Sequence, residues 1–181
     1  MIIWLNGPYG VGKTESADAL VEADPTWHRF DPEKVGFLVL SQLQDFGYDD
    51  FQHLSAWRKL TPLAVDVIAR ETRQDLVVPQ TVLTERYWLE IAAGIRTLGH
   101  QLHHVLIEAS PDTVRRRITE DATLHRAAGW RLEHLPDYLD ARSGWLTTET
   151  ELVIDSSDLN PRAVAQTISA AARVWVEQDR T

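Results

Sequence analysis

Apolar residues recur at helical spacing in three stretches of the chain, and polar residues fill the positions between them. Spacing of three or four residues places each set on one side of a helix, which predicts three amphipathic helices. Gly99 follows the second set and is placed to end its helix. The sets are Val35, Leu38, Val39, Leu43 and Phe46; Trp88, Ile91, Ala92, Ile95 and Leu98; and Val164, Ile168, Ala171, Ala172 and Trp175.

Four pairs of a capping residue and a proline mark predicted helix starts. In such a pair the polar side chain accepts hydrogen bonds from free N–H groups, and proline already has the backbone angle of the first helical position. One pair, Thr61-Pro62, also fits a single longer helix kinked at the proline. The four pairs are Asp31-Pro32, Thr61-Pro62, Ser110-Pro111 and Asn160-Pro161.

Short apolar runs lie between these helices and predict the strands of a sheet. Strands of this length that alternate with helices favour an α/β fold with a buried parallel sheet and helices on both faces. Ligands bind such sheets beyond the carboxyl ends of the strands, so the residues just past each run are site candidates. The runs are residues 1–5, 76–78, 105–107 and 152–154, with a weaker one at 28–30.

Length and composition favour a single globular domain over residues 1–181. The chain has no cysteine, which excludes disulfides and thiolate metal sites. Its net charge is −9, so nucleic acid is not an expected partner. No apolar run approaches the roughly twenty residues of a spanning helix. No secretory signal is recognisable, and we expect a cytoplasmic protein.

The strongest chemical signal is the segment Gly7-Pro8-Tyr9-Gly10-Val11-Gly12-Lys13-Thr14, between the first predicted strand and a helix. It fits the phosphate-binding loop pattern, in which glycines let backbone N–H groups turn toward a polyphosphate at the helix N-terminus. Lys13 is expected to reach the terminal phosphates and Thr14 to bind Mg²⁺. Glu15 completes the predicted nucleotide site. The alternative is a glycine-rich turn that happens to carry a lysine.

Asp31 and Glu33 follow the second predicted strand and are candidate catalytic or metal-binding acids. A carboxylate there would orient Mg²⁺-bound water or take the proton of an acceptor hydroxyl. Both residues also have a purely structural interpretation. Asp31 is a good helix cap, and glutamate in a first helical turn is favoured by the helix dipole.

The third predicted strand is followed by Pro79-Gln80-Thr81. An acid directly after an apolar strand is the usual second signal of a nucleotide site, and this strand has none. Gln80 and Thr81 are candidates to hydrogen-bond a substrate, and the alternative is an ordinary polar turn. Asp31 is therefore the preferred candidate for the catalytic or metal-binding acid, and Glu108 is the second choice.

Arginines are concentrated after the fourth predicted strand. Arg117, Arg126 and Arg131 are candidates to neutralise the charge that develops on a transferred phosphoryl group. The alternative is that they are solvated surface residues, and this interpretation is favoured for Arg115 and Arg116.

An acceptor entry is predicted between the second and third strands, around Asp49 and Asp50. Arg58 is a candidate to hold an anionic or polar group of the acceptor. Trp57 could stack on the acceptor, but it falls on an apolar stripe and is favoured as a core residue.

Three further segments join the loop in carrying a resemblance to a known family: Phe30-Asp31-Pro32-Glu33, Asp50-Phe51-Gln52 before Trp57-Arg58, and Val77-Val78-Pro79-Gln80-Thr81. With these in order, nearly the whole chain resembles the tunicamycin-resistance ATP-binding proteins. These belong to the P-loop small-molecule kinases, together with chloramphenicol phosphotransferase, shikimate kinase, gluconate kinase and adenylate kinase.

The resemblance implies a three-layer P-loop NTPase fold, with a five-stranded parallel sheet of order 2-3-1-4-5, helices on both faces and a small lid at about residues 119–142. ATP and Mg²⁺ would bind at residues 7–14, with Thr14 and Asp31 at the metal. Arg117 matches an arginine that packs on adenine or reaches phosphate, and Arg126 or Arg131 would be lid arginines. Asp155 lies in a segment that resembles the loop near the adenine ring. The missing third-strand acid weighs against a nucleoside monophosphate as acceptor.

These observations favour an ATP- and Mg²⁺-dependent phosphotransferase that acts on a hydroxyl of a small molecule, a nucleoside-type antibiotic such as tunicamycin being one candidate. Two alternatives stay open: a nucleotide-binding resistance protein that sequesters the drug unmodified, and an NTPase switch. The sequence identifies neither the acceptor nor the oligomeric state, for which monomer and homodimer both stay open. The predicted catalytic residues are Lys13, Asp31, Arg117, Arg126 and Arg131. The predicted acceptor-binding residues are Asp31, Glu33, Arg58, Gln80 and Thr81.

Overall fold

Five parallel strands form one sheet in the order β2-β3-β1-β4-β5, which confirms the predicted topology. The structure is a computed structural model, and it describes residues 1–48 and 50–178. Asp49, one of the residues at the predicted acceptor entry, lies outside the described residues. The strands are β1 (Ile2–Asn6), β2 (Trp27–Arg29), β3 (Asp75–Pro79), β4 (Leu102–Glu108) and β5 (Leu152–Asp155).

Helices cover both faces of the sheet, as predicted for short apolar strands that are buried on each side. Several 3₁₀ turns and one π-helical turn, Arg142–Leu146, connect them. The α-helices are α1 (Lys13–Ala23), α2 (Pro32–Gln42), α3 (Ser55–Thr72), α4 (Glu85–Thr97), α5 (Pro111–Glu120), α6 (Ala128–Glu133), α7 (Leu135–Ala141) and α8 (Pro161–Gln178).

The central strand β1 divides the core in two, because successive side chains of a strand point to opposite faces. Ile2 and Trp4 pack in a cluster with residues of α2, α3 and α4. Ile3 and Leu5 pack in a second cluster with residues of α1 and α8. All four side chains are fully buried, so the loop that follows β1 starts from a rigid base.

Three of the four predicted helix starts are confirmed. Asp31 accepts a hydrogen bond from the N–H of Glu33 at 3.1 Å, Ser110 caps α5, and the side chain of Asn160 accepts from the N–H of Ala163 at 2.9 Å. Each of these helices begins at the following proline.

The prediction that Thr61-Pro62 starts a helix is wrong, and the alternative of one longer helix is confirmed. Pro62 lies inside α3. Its ring packs against α4 at Gly94, where an added Cβ would lie 2.7 Å from Cγ of Pro62. Packing between α3 and α4 therefore offsets the cost of a proline inside a helix.

None of the helices in residues 1–48 and 50–178 has the length and apolar character needed to cross a membrane.

Candidate active site

The phosphate-loop segment connects β1 to α1, and its glycines adopt backbone angles that other residues rarely reach. Gly7 has φ of +140° and Gly10 has φ of +77°. A Cβ on Gly7 would collide with the carbonyl oxygen of Ile107 in β4, and one on Gly10 would lie 2.5 Å from Cγ1 of Ile118. The loop is therefore packed closely between the sheet and α5, which glycine alone permits.

Lys13 is folded into this loop. Its Nζ donates to the carbonyl oxygens of Gly7 at 3.0 Å and Pro8 at 2.8 Å, and the side chain is only 9% exposed. Burial and, to a smaller extent, the nearby charge of Arg131 together lower the pKa of Lys13 to about 7. The ammonium group is thus held where an added anion would stabilise its charged form.

A cavity of about 1500 Å³ opens beside the loop, at the carboxyl ends of the strands. Its size exceeds the range of roughly 300–1,000 Å³ that is usual for one small ligand. The loop contributes the residues Tyr9, Gly10, Val11, Gly12, Lys13 and Thr14 to the cavity wall, and Glu15 continues it. The predicted nucleotide site and the predicted acceptor side share this one space.

Asp31 and Glu33 line the cavity from the start of α2. One oxygen of Asp31, Oδ1, caps the helix. The pKa of Glu33 is raised by burial and by the charge of Asp31, while Lys13 opposes the shift. The two acids and Lys13 therefore influence one another electrostatically.

Arg117 reaches from α5 to the phosphate loop. Its Nη1 donates to the carbonyl oxygen of Val11 and to Oγ of Ser156, both at 3.1 Å. Its Nη2 donates to the carbonyl oxygen of Ser156 at 2.7 Å. Asp155 does not line the cavity: its carboxylate accepts from the N–H of Ser157 at 2.9 Å. Ser156, the next residue of the segment predicted to lie near the adenine ring, lines the wall instead.

Arg131 in α6 also converges on the loop. The side chain is 10% exposed, and its guanidinium pairs with Asp121 at 2.8 Å and lies 3.5 Å from the position of a Cβ on Gly10. Arg126 is exposed and does not line the cavity in the described residues, so the structure does not bring it to the predicted site. Of the two predicted lid arginines, Arg131 alone faces the loop.

Gln80 and Thr81 line the cavity at the end of β3, and each is 2% exposed. Thr81 donates its hydroxyl hydrogen to the carbonyl oxygen of Gly7 at 2.9 Å. Nε2 of Gln80 donates to the carbonyl oxygen of Thr81 at 3.2 Å, whereas its Oε1 is buried and accepts no hydrogen bond from a described residue. Both predicted residues therefore reach the site, and Gln80 has an acceptor atom to spare.

Arg58 does not line the cavity, so the structure does not bring it to the predicted acceptor side. Its Nε donates to Glu90 at 2.6 Å, its Nη1 donates to the carbonyl oxygen of Gln52, and its guanidinium lies 4.1 Å from the ring centre of Tyr87. The side chain is 6% exposed and its charge is already neutralised. Trp57 is fully buried, which confirms it as a core residue.

Glu108, the second choice as catalytic acid, is also committed elsewhere. Arg142 binds it through two hydrogen bonds, of 2.5 and 3.0 Å. Glu108 does not line the cavity in the described part of the chain. Asp31 and Glu33 are therefore the predicted acids that reach the cavity.

An aromatic contact between the loop and α6 was missed by sequence reasoning. The ring of Tyr9 lies 4.8 Å from that of Trp130 and 5.9 Å from that of His134. All three residues line the cavity. Helical spacing of Trp130 and His134 was the available signal, but the loop contact depends on a long-range approach that spacing does not encode.

The residues present fit a polyphosphate and an oxygen-binding metal. Three cationic side chains, Lys13, Arg117 and Arg131, surround the glycine loop. The hydroxyl of Thr14 and the carboxylate of Asp31 line the same cavity, and oxygen ligands are those that Mg²⁺ prefers. The arrangement can therefore hold a charged phosphate chain and a metal beside the candidate acid Asp31.

A family comparison agrees with this geometry. The family model described as an AAA domain matches residues 2–127, well over half of the chain. No curated protein sequence matches the chain.

Solved structures with similar folds include the Deinococcus radiodurans tunicamycin resistance protein, with 28% identity, a TM-score of 0.75, and coverage of 94% of each chain. Shikimate kinase from Bacteroides thetaiotaomicron has 14% identity and a TM-score of 0.65, over 96% of this chain and 98% of that one. A gluconokinase from Sinorhizobium meliloti 1021 has 16% identity and a TM-score of 0.61, over 97% and 95%. The two kinases, at these identities, show the fold alone. Together the comparisons confirm the predicted resemblance to the tunicamycin-resistance proteins and, in fold, to P-loop small-molecule kinases.

Proposed function

Because the chain belongs to the AAA-domain family, we propose that it is an ATP- and Mg²⁺-dependent phosphotransferase acting on a hydroxyl of a small molecule. A nucleoside-type antibiotic is one candidate acceptor, supported by the likeness to the tunicamycin resistance protein. The observation that carries the proposal is the convergence of Lys13, Arg117 and Arg131 on the glycine loop, in a cavity that also contains Asp31.

The cationic side chains would hold the phosphates of ATP. Lys13 would exchange its two backbone carbonyl partners for phosphate oxygens. Arg131 lies beside Gly10 of the loop, in the segment predicted to act as a lid, where it would stabilise charge on the transferred group. Bound Mg²⁺ would be held by the hydroxyl of Thr14 and would neutralise phosphate charge.

In the transfer step, the acceptor hydroxyl oxygen forms a bond to the γ-phosphorus, and the bond from that phosphorus to the β–γ bridging oxygen breaks. The electron pair of the broken bond leaves with ADP. We assign the hydroxyl proton to Asp31, whose Oδ1 is used by the helix cap and whose Oδ2 is the proposed proton acceptor.

To test the proposal, the protein is incubated with ATP, Mg²⁺ and tunicamycin, and the mass of the drug is measured. A gain of one phosphate supports the proposal. Retention of the drug with unchanged mass favours sequestration, and ADP formation without any acceptor favours a switch. Lys13→Ala should abolish transfer while the protein stays folded, and Lys59→Ala, at an exposed helix position, is the matched control. An Asp31→Asn variant with full activity would remove the assigned proton acceptor.

A further inference from the structure

Charge is divided between the two ends of the cavity. The basic residues Lys13, Arg117 and Arg131 lie around the phosphate loop. Carboxylates line the remainder of the wall, contributed by α2, the segment before α3, the start of α4, and α7. These acidic residues are Asp31, Glu33, Asp50, Glu85, Asp137 and Asp140. Two further acids of the wall, Glu15 and Asp121, lie beside the phosphate loop, where Asp121 is paired with Arg131.

Tyr9 lies close to the basic end, since Nζ of Lys13 is 5.8 Å from the centre of its ring. Burial raises the pKa of its hydroxyl, and the negative charges of Asp50, Glu33 and Asp137 raise it further. Three separate elements therefore project negative charge toward the same ring.

Few positively charged side chains among the described residues lie at the acidic end to offset the negative charge of these carboxylates. The other arginine in the described wall is Arg29, and its Nε is paired with Asp18 at 2.7 Å. Arg58, the arginine that sequence reasoning placed here, is buried against Glu90. A carboxylate or phosphate entering this end would meet like charge without an unpaired lysine or arginine to bind it.

Gln80 places a second, independent requirement on the acceptor, which is a hydrogen-bond donor. Its side-chain oxygen is buried, lies in a residue of the cavity wall, and has no hydrogen-bond partner among the described residues. A buried acceptor without a partner is costly, so an occupant that donates an N–H or O–H to it gains affinity. An acceptor-only group such as a carboxylate leaves this atom unsatisfied.

An apolar surface borders the same end of the cavity. Phe37 is 59% exposed and its ring lies 5.9 Å from that of Phe51, in an edge contact. Leu40 and Tyr87 line the wall beside them. This surface would bury an apolar or flat part of the occupant.

We infer that the acceptor is an uncharged or cationic molecule with an N–H or O–H donor for Gln80 and an apolar face, and that carboxylates and phosphates are excluded. The inference rests on the proposed function for the identity of the reacting site. By this inference, the acceptor site differs from a site that binds an acidic metabolite.

The test compares probes that share a skeleton and differ in charge. One series is 5′-amino-5′-deoxyuridine, uridine and uridine 5′-monophosphate, and the other is phenyl β-glucoside and phenyl β-glucuronide. Binding is measured by calorimetry with the nucleotide end filled by Mg²⁺ and a non-hydrolysable ATP analogue. We expect the uncharged or cationic members to bind about tenfold or more tightly than their anionic partners. Equal or tighter binding of the anionic members would overturn the inference, as would no binding by any uncharged or cationic member at about 1 mM.

A second measurement separates this inference from the proposed activity. Each probe is incubated with ATP and Mg²⁺, and its mass is followed. If uncharged probes bind and none gains a phosphate, phosphotransfer fails while the acceptor class stands. If an anionic probe is phosphorylated as efficiently as its uncharged partner, the acceptor class fails while phosphotransfer stands.

Two variants test the residues that carry the inference. Gln80→Met keeps the side-chain length and removes the free oxygen, so affinity for uridine should fall about tenfold, whereas Gln42→Met, away from the cavity, should not change it. Asp137→Lys should reduce the difference in affinity between phenyl glucoside and phenyl glucuronide several-fold. Asp112→Lys makes the same charge change at a fully exposed site on α5 and should leave that difference unaltered. An unchanged difference in Asp137→Lys would contradict the electrostatic explanation.

Discussion

Thr81 donates its hydroxyl hydrogen to the carbonyl oxygen of Gly7 over 2.9 Å, and so ties the end of β3 to the first residue of the phosphate loop. Asn6 strengthens this link, because its Oδ1 accepts from the N–H groups of Gly7 and Val82 and its Nδ2 donates to the carbonyl oxygen of Val82. The acceptor side of the cavity and the loop are therefore joined by buried hydrogen bonds, and a displacement of one is transmitted to the other.

Replacing Thr81 with valine should destabilise the fold by about 1 kcal/mol, because a buried hydrogen bond is lost at nearly constant volume. The carbonyl of Gly7 keeps its bond from Lys13, which limits the cost. We also expect several-fold weaker ATP binding, since the loop loses one of its anchors. Urea unfolding and calorimetry measure the two effects.

Thr61→Val provides the matched control. Thr61 is fully buried, and its hydroxyl has no hydrogen-bond partner among the described residues. The same substitution should therefore leave stability unchanged or raise it. If both variants lose the same free energy, the bond between Thr81 and Gly7 contributes nothing specific.

Local sequence signals predicted the parts of this protein whose structure depends on neighbouring residues. The loop from Gly7 to Thr14 and the cap at Asp31 are encoded by short motifs, because the backbone angle and the capping oxygen lie within a few positions of their partners. Burial of β1 follows from its uninterrupted apolar run. The order of the strands came from family resemblance, since no local pattern specifies which strands pair.

Long-range partners of charged side chains could not be predicted in the same way. Arg58 meets Glu90, 32 positions later, and Arg117 meets Ser156, 39 positions later. An arginine near a predicted entry has the same sequence appearance whether it faces a ligand or a buried carboxylate. For this reason the sequence placed Arg58 at the acceptor side, whereas the structure pairs it with Glu90.

Removing the Arg58 guanidinium should reduce stability rather than acceptor binding. In Arg58→Met, Glu90 loses its buried partner but remains 34% exposed and keeps Arg86, so we expect a loss of roughly 2 kcal/mol, below the usual range for breaking a buried pair. Urea unfolding provides the measurement. Arg86→Met, at a residue whose side chain is 79% exposed, should cost no more than about 0.5 kcal/mol. Unchanged stability with a raised KM for the acceptor would restore the ligand role.

ATP binding should take up protons at alkaline pH. The pKa of Lys13 is lowered to about 7 by burial and by Arg131, so most of the lysine is neutral at about pH 8 in the free protein. Phosphate oxygens favour the ammonium form and raise this pKa, so binding should draw close to one proton from solution. Calorimetry in buffers of different ionisation enthalpy measures the uptake.

Variants identify the group that takes up the proton. Lys13→Met should abolish the uptake, and Arg131→Met should reduce it, because removing the neighbouring positive charge raises the pKa of Lys13 in the free protein. Arg126→Met changes an exposed arginine that does not line the described cavity wall and should behave as wild type. Uptake that persists in Lys13→Met would assign the proton to another group.

Acid should destabilise the protein through His104. The imidazole is fully buried, stacks on Trp88 at 3.9 Å, and is 2.9 Å from the carbonyl oxygen of Glu149 through Nδ1 and 3.3 Å from Nδ2 of Asn6 through Nε2. Since the amide of Asn6 donates, Nε2 accepts and the proton resides on Nδ1. Protonating Nε2 would break that bond, and burial is the main cause that lowers the pKa of His104 to about 4.

The folded-state pKa of His104 lies below its value of about 6.5 in the unfolded chain, so the unfolded state binds the proton first. Stability is therefore lost as pH falls through about 6.5 toward 4, and the contribution of His104 between pH 7 and pH 5 should be about 2 kcal/mol. Urea unfolding across this range measures the slope. His104→Phe keeps an aromatic ring beside Trp88 but cannot titrate, so its slope should be shallower by that amount, whereas His53→Phe, at a residue whose side chain is 62% exposed, should retain the wild-type slope. Equal slopes in wild type and His104→Phe would show that another buried group controls acid unfolding.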